Sequence, residues 1–195
     1  MAMADGRVRR GERNREALVD ALMDCYADGT PDPSVAEVAA RAGVSVRSVH
    51  NHFADVEALR AEVARRQWEG YAHLAGPPPP GLPLDERVRL VVDARAELFE
   101  AVTPVRRAAL LSVHESPTIA ANLAEADRRL RRSAERAFAA ELERRAPGTL
   151  DALDAVLSWD MWNRLRVAQR CSVTRTKQVL ASSVTALLAE QGEHA

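Results

Sequence analysis

Apolar residues recur along the whole chain at the three- and four-residue spacing of amphipathic helices. No segment alternates apolar and polar residues over the length of a strand, so we predict no β-sheet. The pattern predicts about nine helices and an all-α fold. The predicted helices lie near residues 12–27, 35–41, 46–52, 56–73, 84–102, 104–115, 117–146, 150–170 and 174–190.

Several of these helices begin at residues that satisfy the free N–H groups of a first turn. Ser34 and Glu37 have the spacing of a capping box, in which a hydroxyl and a carboxylate each accept from the other residue's backbone N–H. Ser45 can cap the third helix. Thr103-Pro104 and Ser116-Pro117 each place a capping hydroxyl before a proline at the first helical position. These pairs predict the starts of the sixth and seventh helices.

The segment Gly76–Pro83 divides the predicted helices into two groups. Its four consecutive prolines cannot continue a helix and favour a stiff polyproline II linker. We therefore expect an N-terminal domain over residues 1–75, a linker over 76–83 and a C-terminal helical bundle over 84–195.

Composition narrows the function classes. The 195 residues are 47% hydrophobic and 28% charged, which is typical of a globular chain. No apolar run approaches the roughly 20 residues that span a bilayer, and the first ten residues lack the apolar core of a signal peptide. Cys25 and Cys171 are too few for a metal site or a disulfide framework. We expect a cytoplasmic protein without cofactor or metal.

The near-neutral total, 27 basic against 28 acidic residues, conceals an uneven distribution. Between Arg7 and Arg15 five arginines accompany one acidic residue, Glu12. Such a basic arm can follow a DNA backbone or enter a minor groove. The alternative is a solvated terminus. The candidate DNA contacts in the basic arm are Arg9, Arg10 and Arg13.

Residues 34–59 have the organisation of a helix-turn-helix motif. Two short predicted helices flank Ala42–Ser45, and the small Ala39 lies where the helices would cross. Gly43 suits a sharp turn because glycine adopts positive φ readily. The second helix of such a motif enters the major groove of DNA.

This segment resembles the TetR family of one-component transcriptional repressors. The resemblance lies in Val38–Ser45, with its Ala-Gly-Val-Ser turn, in Val46–Phe53, with its His-Phe pair, and in Asp55, Glu57 and Leu59. Weaker likeness continues at Thr103–Leu111, Trp159–Arg166 and Val179–Leu188. The resemblance implies a DNA-binding head, a small-molecule pocket in the C-terminal bundle, and a dimer.

Two positions depart from the family pattern. Family members commonly carry tyrosine at the place of His50 and lysine at the place of Val56, and those residues usually contact phosphates. His50 can still donate a hydrogen bond, but Val56 cannot. Losing one phosphate contact would weaken binding to all sequences and reduce the salt slope by roughly one unit.

Candidate DNA contacts on the motif follow from their hydrogen-bonding chemistry. Arg47 can donate to guanine O6 and N7. For His50 and His52 the alternative is local packing or capping. The candidates are Ser34, Ser45, Val46, Arg47, Ser48, His50, Asn51 and His52.

Arg95 is the informative residue of the C-terminal domain, because it falls within an apolar stripe of the fifth helix. It predicts either an internal ion pair or a snorkelling side chain, or else an anchor for an acidic ligand. Candidate ligand contacts are Arg95, Phe99, His114, Trp68 and Trp162.

The last two predicted helices are apolar on more than one side, which predicts a homodimer through a four-helix interface. A monomer that buries every apolar side itself is the alternative. The candidate interface residues are Leu153, Leu157, Met161, Val184, Leu187 and Leu188.

Together these patterns favour a dimeric repressor that a small molecule releases from a palindromic double-stranded DNA operator. A DNA-binding regulator without a ligand is one alternative. A helical enzyme is the other, but the sequence contains no nucleophile elbow, phosphate loop or cluster of metal ligands. A membrane partner is not expected.

Overall fold

The computed structural model describes residues 2–189, with side chains from Arg10 onward. The described residues contain ten α-helices and no strand, which confirms the predicted all-α fold class. Within them no helix is both long and apolar enough to cross a membrane. The helices are α1 (Ala2–Ala27), α2 (Val35–Arg41), α3 (Val46–His52), α4 (Val56–Tyr71), α5 (Leu84–Ser112), α6 (Pro117–Ala137), α7 (Ala139–Leu142), α8 (Thr149–Val156), α9 (Trp159–Asn163) and α10 (Val173–Leu188).

The chain forms two compact units that are interleaved in sequence. The N-terminal unit combines the residues up to Gly70 with Val102–Ala124, and the C-terminal unit combines Tyr71–Ala101 with the residues from Glu125 onward. Helix α5 therefore contributes to both units. The division differs from the linear one that the proline segment suggests, and a turn at Pro80–Gly81 interrupts that segment.

The core of the N-terminal unit joins the helix-turn-helix to a later part of the chain. Leu18 and Leu22 of α1 pack in one cluster with Val38, Val49 and other apolar side chains, and Val105 and Ala108 of α5 belong to the same cluster. Polar bonds follow the same course. Arg60 of α4 donates to Ser112 Oγ (3.0 Å), and the Ser116 hydroxyl donates to Glu57. Residues beyond 100 thus stabilise the N-terminal fold.

The C-terminal unit buries the apolar faces of α5, α6, α8 and α10. Phe99 packs against Trp162 with ring centroids 6.2 Å apart. Arg87 holds the end of α6, because it donates to Ala137 O (2.7 Å) and forms an ion pair with Glu141. This unit contains the apolar bundle that the sequence predicts.

Two helix boundaries near prolines and glycines differ from prediction. Helix α1 begins at Ala2 rather than Glu12 and includes the basic arm. Helix α5 continues through Pro104, so the predicted helix start at Thr103-Pro104 is wrong. A proline inside a helix removes one backbone bond. Burial of Val105 and Ala108 beyond it keeps the chain helical, because packing contributes more to helix stability than propensity does.

Two predicted long helices are interrupted. Helix α6 ends at Ala137, before the short α7. The predicted helix over 150–170 breaks at Ser158, which caps α9 by accepting from Met161 N (3.1 Å). A π-helical turn, Arg164–Ala168, follows α9. The apolar pattern continues across the second break, because Leu153 of α8 and Trp162 of α9 are both buried.

Candidate nucleic-acid interface

Helix α2 begins as its sequence predicts. Ser34 Oγ accepts from Glu37 N (3.2 Å), and Glu37 Oε2 accepts from Ser34 N (2.8 Å) and from the Ser34 hydroxyl (2.7 Å). These bonds to the ionised carboxylate lower the pKa of Glu37 below its ordinary value. The predicted capping box is confirmed. The hydroxyl of Ser34 donates one bond and accepts one bond within it.

The turn between α2 and α3 is a Schellman motif. Gly43 has φ +66°, Gly43 N donates to Ala40 O (3.2 Å), and Val44 N donates to Ala39 O (3.0 Å). Ser45 then caps α3, because its Oγ accepts from Ser48 N (3.2 Å). Helix α3 therefore starts two residues after the turn, in the arrangement of a helix-turn-helix.

The inner side of α3 is fixed by apolar packing. Val49 and the following Phe53 are buried in the N-terminal core, beside the buried Ala39 of α2. Arg15 of α1 lies over the Phe53 ring at 5.0 Å and pairs with Glu62 (3.1 Å). These contacts leave the opposite face of α3 to solvent.

The predicted DNA contacts of α3 divide by exposure. Four of these predicted contacts lie on one outward face of α3, because at 100° per residue their side chains fall within about 140° of arc around the helix. His52 is half-buried against α1, where a Cβ on Gly11 would be 3.7 Å from its Cε1, so its packing alternative is favoured. Ser48 is half-buried as well. The exposed face consists of Val46, Arg47, His50 and Asn51.

The basic arm is part of helix α1 rather than a separate extended chain. Arg10 and Arg13 are exposed, and their three-residue spacing places them on the same side of α1. The side chain of Arg9 lies outside the described residues. Val56 is half-buried at the start of α4, where Asp55 Oδ1 accepts from Ala58 N (2.7 Å).

The predicted ligand contacts are divided between the two compact units. Trp68 and His114 belong to the N-terminal unit, whereas Arg95, Phe99 and Trp162 belong to the C-terminal unit. Trp68 is half-buried and His114 is exposed. The sequence could not separate these groups, because spacing along helices does not tell which unit a helix joins.

Arg95 is buried, and no described residue forms an ion pair with it. Its side chain is 1% exposed, its Nη2 donates to Leu130 O (2.7 Å), and its Nε has no hydrogen-bond partner among the described residues. Burial lowers the pKa of Arg95 to about 10, although the charge of Asp154 acts in the other direction. Among the described residues Arg95 has no ion-pair partner, and its 1% exposure excludes a snorkelling end.

A cleft that the sequence analysis missed lies between α6 and the α8–α9 segment. Its volume is about 670 Å³. Arg131 lines it and donates to the carboxylates of Asp151 (2.6 Å) and Asp154 (3.3 Å). The three-residue spacing of these two aspartates on α8 was the available signal. The cleft is lined by Asp127, Leu130, Arg131, Asp151, Asp154, Ala155, Leu157, Ser158, Asp160, Met161 and Arg164.

Four of the predicted dimer residues are buried in the core of the single chain. Each is at most 3% exposed within a single chain, so none can pack against a partner: Leu153, Leu157, Val184 and Leu188. Met161 and Leu187 are half-buried and retain accessible surface. Periodicity identifies apolar faces but does not tell which molecule covers them.

No protein-family model and no curated protein sequence matches the chain. Solved structures do match. A TetR-family transcriptional regulator from Streptomyces coelicolor aligns with a TM-score of 0.68 and 20% identity, over 90% of this chain and 80% of its own. A transcriptional regulator from Rhodococcus sp. RHA1 aligns with a TM-score of 0.70 and 19% identity, over 89% and 95%.

The multidrug-binding protein EbrR, solved with imidazole, aligns with a TM-score of 0.65 and 22% identity, over 92% of this chain and 94% of its own. These similarities extend over both compact units, well beyond the helix-turn-helix. The chain has the fold of the TetR-type transcriptional regulators.

Proposed function

We propose that this protein is a cytoplasmic, sequence-specific transcriptional repressor. It binds a palindromic operator as a homodimer, and a small molecule releases it from the operator. The observation that carries the proposal is the capped helix-turn-helix, whose α3 is anchored by Val49 and presents an exposed, donor-rich face. The proposed role of the protein is to bind DNA and a small molecule, and not to catalyse a reaction.

Within this proposal Arg47 reads guanine, and exposed polar groups beside it hold the helix in the groove. An arginine can donate two bonds to the O6 and N7 of guanine, a pair that distinguishes this base from the other three. Arg10 and Arg13 neutralise phosphates. Each neutralised phosphate adds about 0.9 to the slope of log affinity against log salt.

Fluorescence anisotropy on the DNA upstream of the gene, measured at several salt concentrations, tests this function. We expect tighter binding there than to a random duplex. Arg47→Ala should weaken specific binding by about 1–3 kcal/mol and relax the base preference. Arg136→Ala is the matched control, because it removes the same charge from an exposed position of the C-terminal unit. Equal affinity for the upstream and random DNA would refute the repressor.

The homodimer supplies the symmetry that a palindrome needs. Recognition helices must lie about 34–36 Å apart to enter successive major grooves on one side of DNA. Met161 and Leu187 keep surface for such an interface, and so do the exposed Ser182 and Ala186 of α10.

Release by a small molecule requires a ligand that prefers the DNA-free state, since equal affinity for both states shifts nothing. A multidrug-binding protein shares the fold, which supports such a response. We propose Arg95 as the anchor of an acidic ligand, because its charge is buried and no side chain in the described part of the chain forms an ion pair with it. Benzoate and the uncharged benzamide, titrated into the protein–DNA complex, test this: release by benzoate alone, absent in Arg95→Gln, is the expected result.

A further inference from the structure

Val46 is an apolar residue in a place where the other exposed residues are polar. It is 42% exposed at the first position of α3, directly after the Ser45 cap. Among the described residues, the other exposed large apolar side chains are Leu110, Leu111 and Val167, none of which lies on the helix-turn-helix. Scattered apolar residues on a surface need no explanation. This one lies on a face that otherwise offers hydrogen bonds.

The position of Val46 on α3 is the second observation. The N-terminal residues of a recognition helix are those that contact base edges. Val46 shares the exposed face with Arg47, His50 and Asn51, whereas Val49 points into the core. Its side chain therefore enters the groove whenever that face does.

The chemistry of the major groove leaves one suitable partner for such a side chain. Base edges there carry hydrogen-bond donors and acceptors and a single apolar group, the 5-methyl of thymine. A valine beside a phosphate or a polar base edge would desolvate that group without compensating it. We infer that Val46 contacts the 5-methyl group of one thymine in each half-site of the operator. The inference rests on the proposed DNA-binding function.

Uracil substitution tests it, because uracil pairs like thymine and lacks only the methyl. An upstream fragment that the protein binds is prepared with uracil at random thymine positions, and bound and free molecules are compared position by position. We expect symmetric positions, one per half-site, where uracil weakens binding about fourfold, the equivalent of one buried methyl group. Val46→Ala should abolish this sensitivity. Val46→Thr, which keeps a methyl in the same place, should retain it.

Two controls separate the methyl contact from other effects. 5-Bromouracil restores an apolar group at the same carbon, so it should restore affinity for the parent protein and leave Val46→Ala unchanged. Leu111→Ala removes an apolar side chain that is 62% exposed elsewhere in the same unit, and should leave the uracil pattern intact.

The inference is overturned if the parent protein tolerates uracil at every thymine, or if Val46→Ala keeps the parent's uracil pattern. A protein that binds no DNA specifically fails earlier, in the comparison of upstream with random duplex. The two failures are therefore distinguishable.

Discussion

Gly43 connects the two helices of the candidate DNA-binding motif through a backbone conformation that most residues avoid. Its φ is +66°, and a Cβ placed there would meet no atom within 4 Å. A larger residue would therefore strain the backbone but not clash. The turn depends on conformational freedom, and both hydrogen bonds of the Schellman motif depend on the turn.

Gly43→Ala should lower the free energy of unfolding by about 1–2 kcal/mol, the cost of a left-handed conformation for a residue with a Cβ. Urea unfolding measures it. Gly70→Ala is the matched control: it is also open to solvent but lies within α4 without positive φ. It should stabilise by about 0.5–1 kcal/mol. Equal effects of the two substitutions would contradict the assignment of strain to Gly43.

The carboxylate of Glu141 makes the stability of the C-terminal unit depend on pH. Arg87 donates to its carboxylate and so lowers the pKa of Glu141 below the ordinary 4.5. A lowered folded-state pKa stabilises the fold above pH 4.5, and this contribution is lost as the pH falls through the folded-state value.

We expect Glu141→Gln to be about 1 kcal/mol less stable than the parent at pH 7, and the difference to shrink below pH 4.5. Thermal unfolding across pH measures both. Glu86→Gln is the control, because the Glu86 side chain is 44% exposed and its carboxylate lies 3.8 Å from the Arg89 guanidinium. It should change stability by less than about 0.5 kcal/mol at either pH. A pH-independent loss in Glu141→Gln would argue against the ion pair.

At the scale of elements, helix starts depend on capping residues and helix interiors on packing. The caps at Ser34, Ser45 and Ser116 could be predicted because their chemistry is local: one hydroxyl accepts one nearby N–H. The continuity of α5 through Pro104 could not, since it depends on cores elsewhere in the chain.

The hydroxyl of Ser158 caps α9 and should stabilise the helix boundary at this position. Ser158→Ala removes the acceptor for Met161 N and should cost about 1 kcal/mol. Ser158→Asp keeps an acceptor and should retain most of that stability. Thr118→Ala, at an exposed position of α6, should cost nothing. Chemical denaturation of the three variants compares them, and equal stability of the two Ser158 variants would exclude the cap.

The candidate site shows the same limit of sequence patterns. The exposed Arg47 and Asn51 on α3 were predictable, because Val49 fixes which side of a short helix turns inward. The half-burial of His52 depends on α1, and the burial of Leu153 and Val184 depends on packing within the C-terminal unit. Helical periodicity specifies a direction on a helix and not the neighbour that lies there.

At the scale of the whole molecule, the proposed function requires two chains. Ala186→Glu places a charge on the exposed side of α10 and should shift the protein toward monomer, with weaker operator binding as the consequence. Sedimentation and anisotropy measure the two effects. Ala140→Glu introduces the same charge at an exposed position of α7 and should change neither. A dimer that survives Ala186→Glu would place the interface elsewhere.

The contribution of Val105 and Ala108 to the N-terminal core also limits how such a chain can recombine. A crossover in the proline segment, which looks like a natural joint, would give the new chain α1 to α4 without the two side chains that complete their core. A graft that preserves the N-terminal fold has to carry Val102–Ala124 as well as the residues up to Gly70.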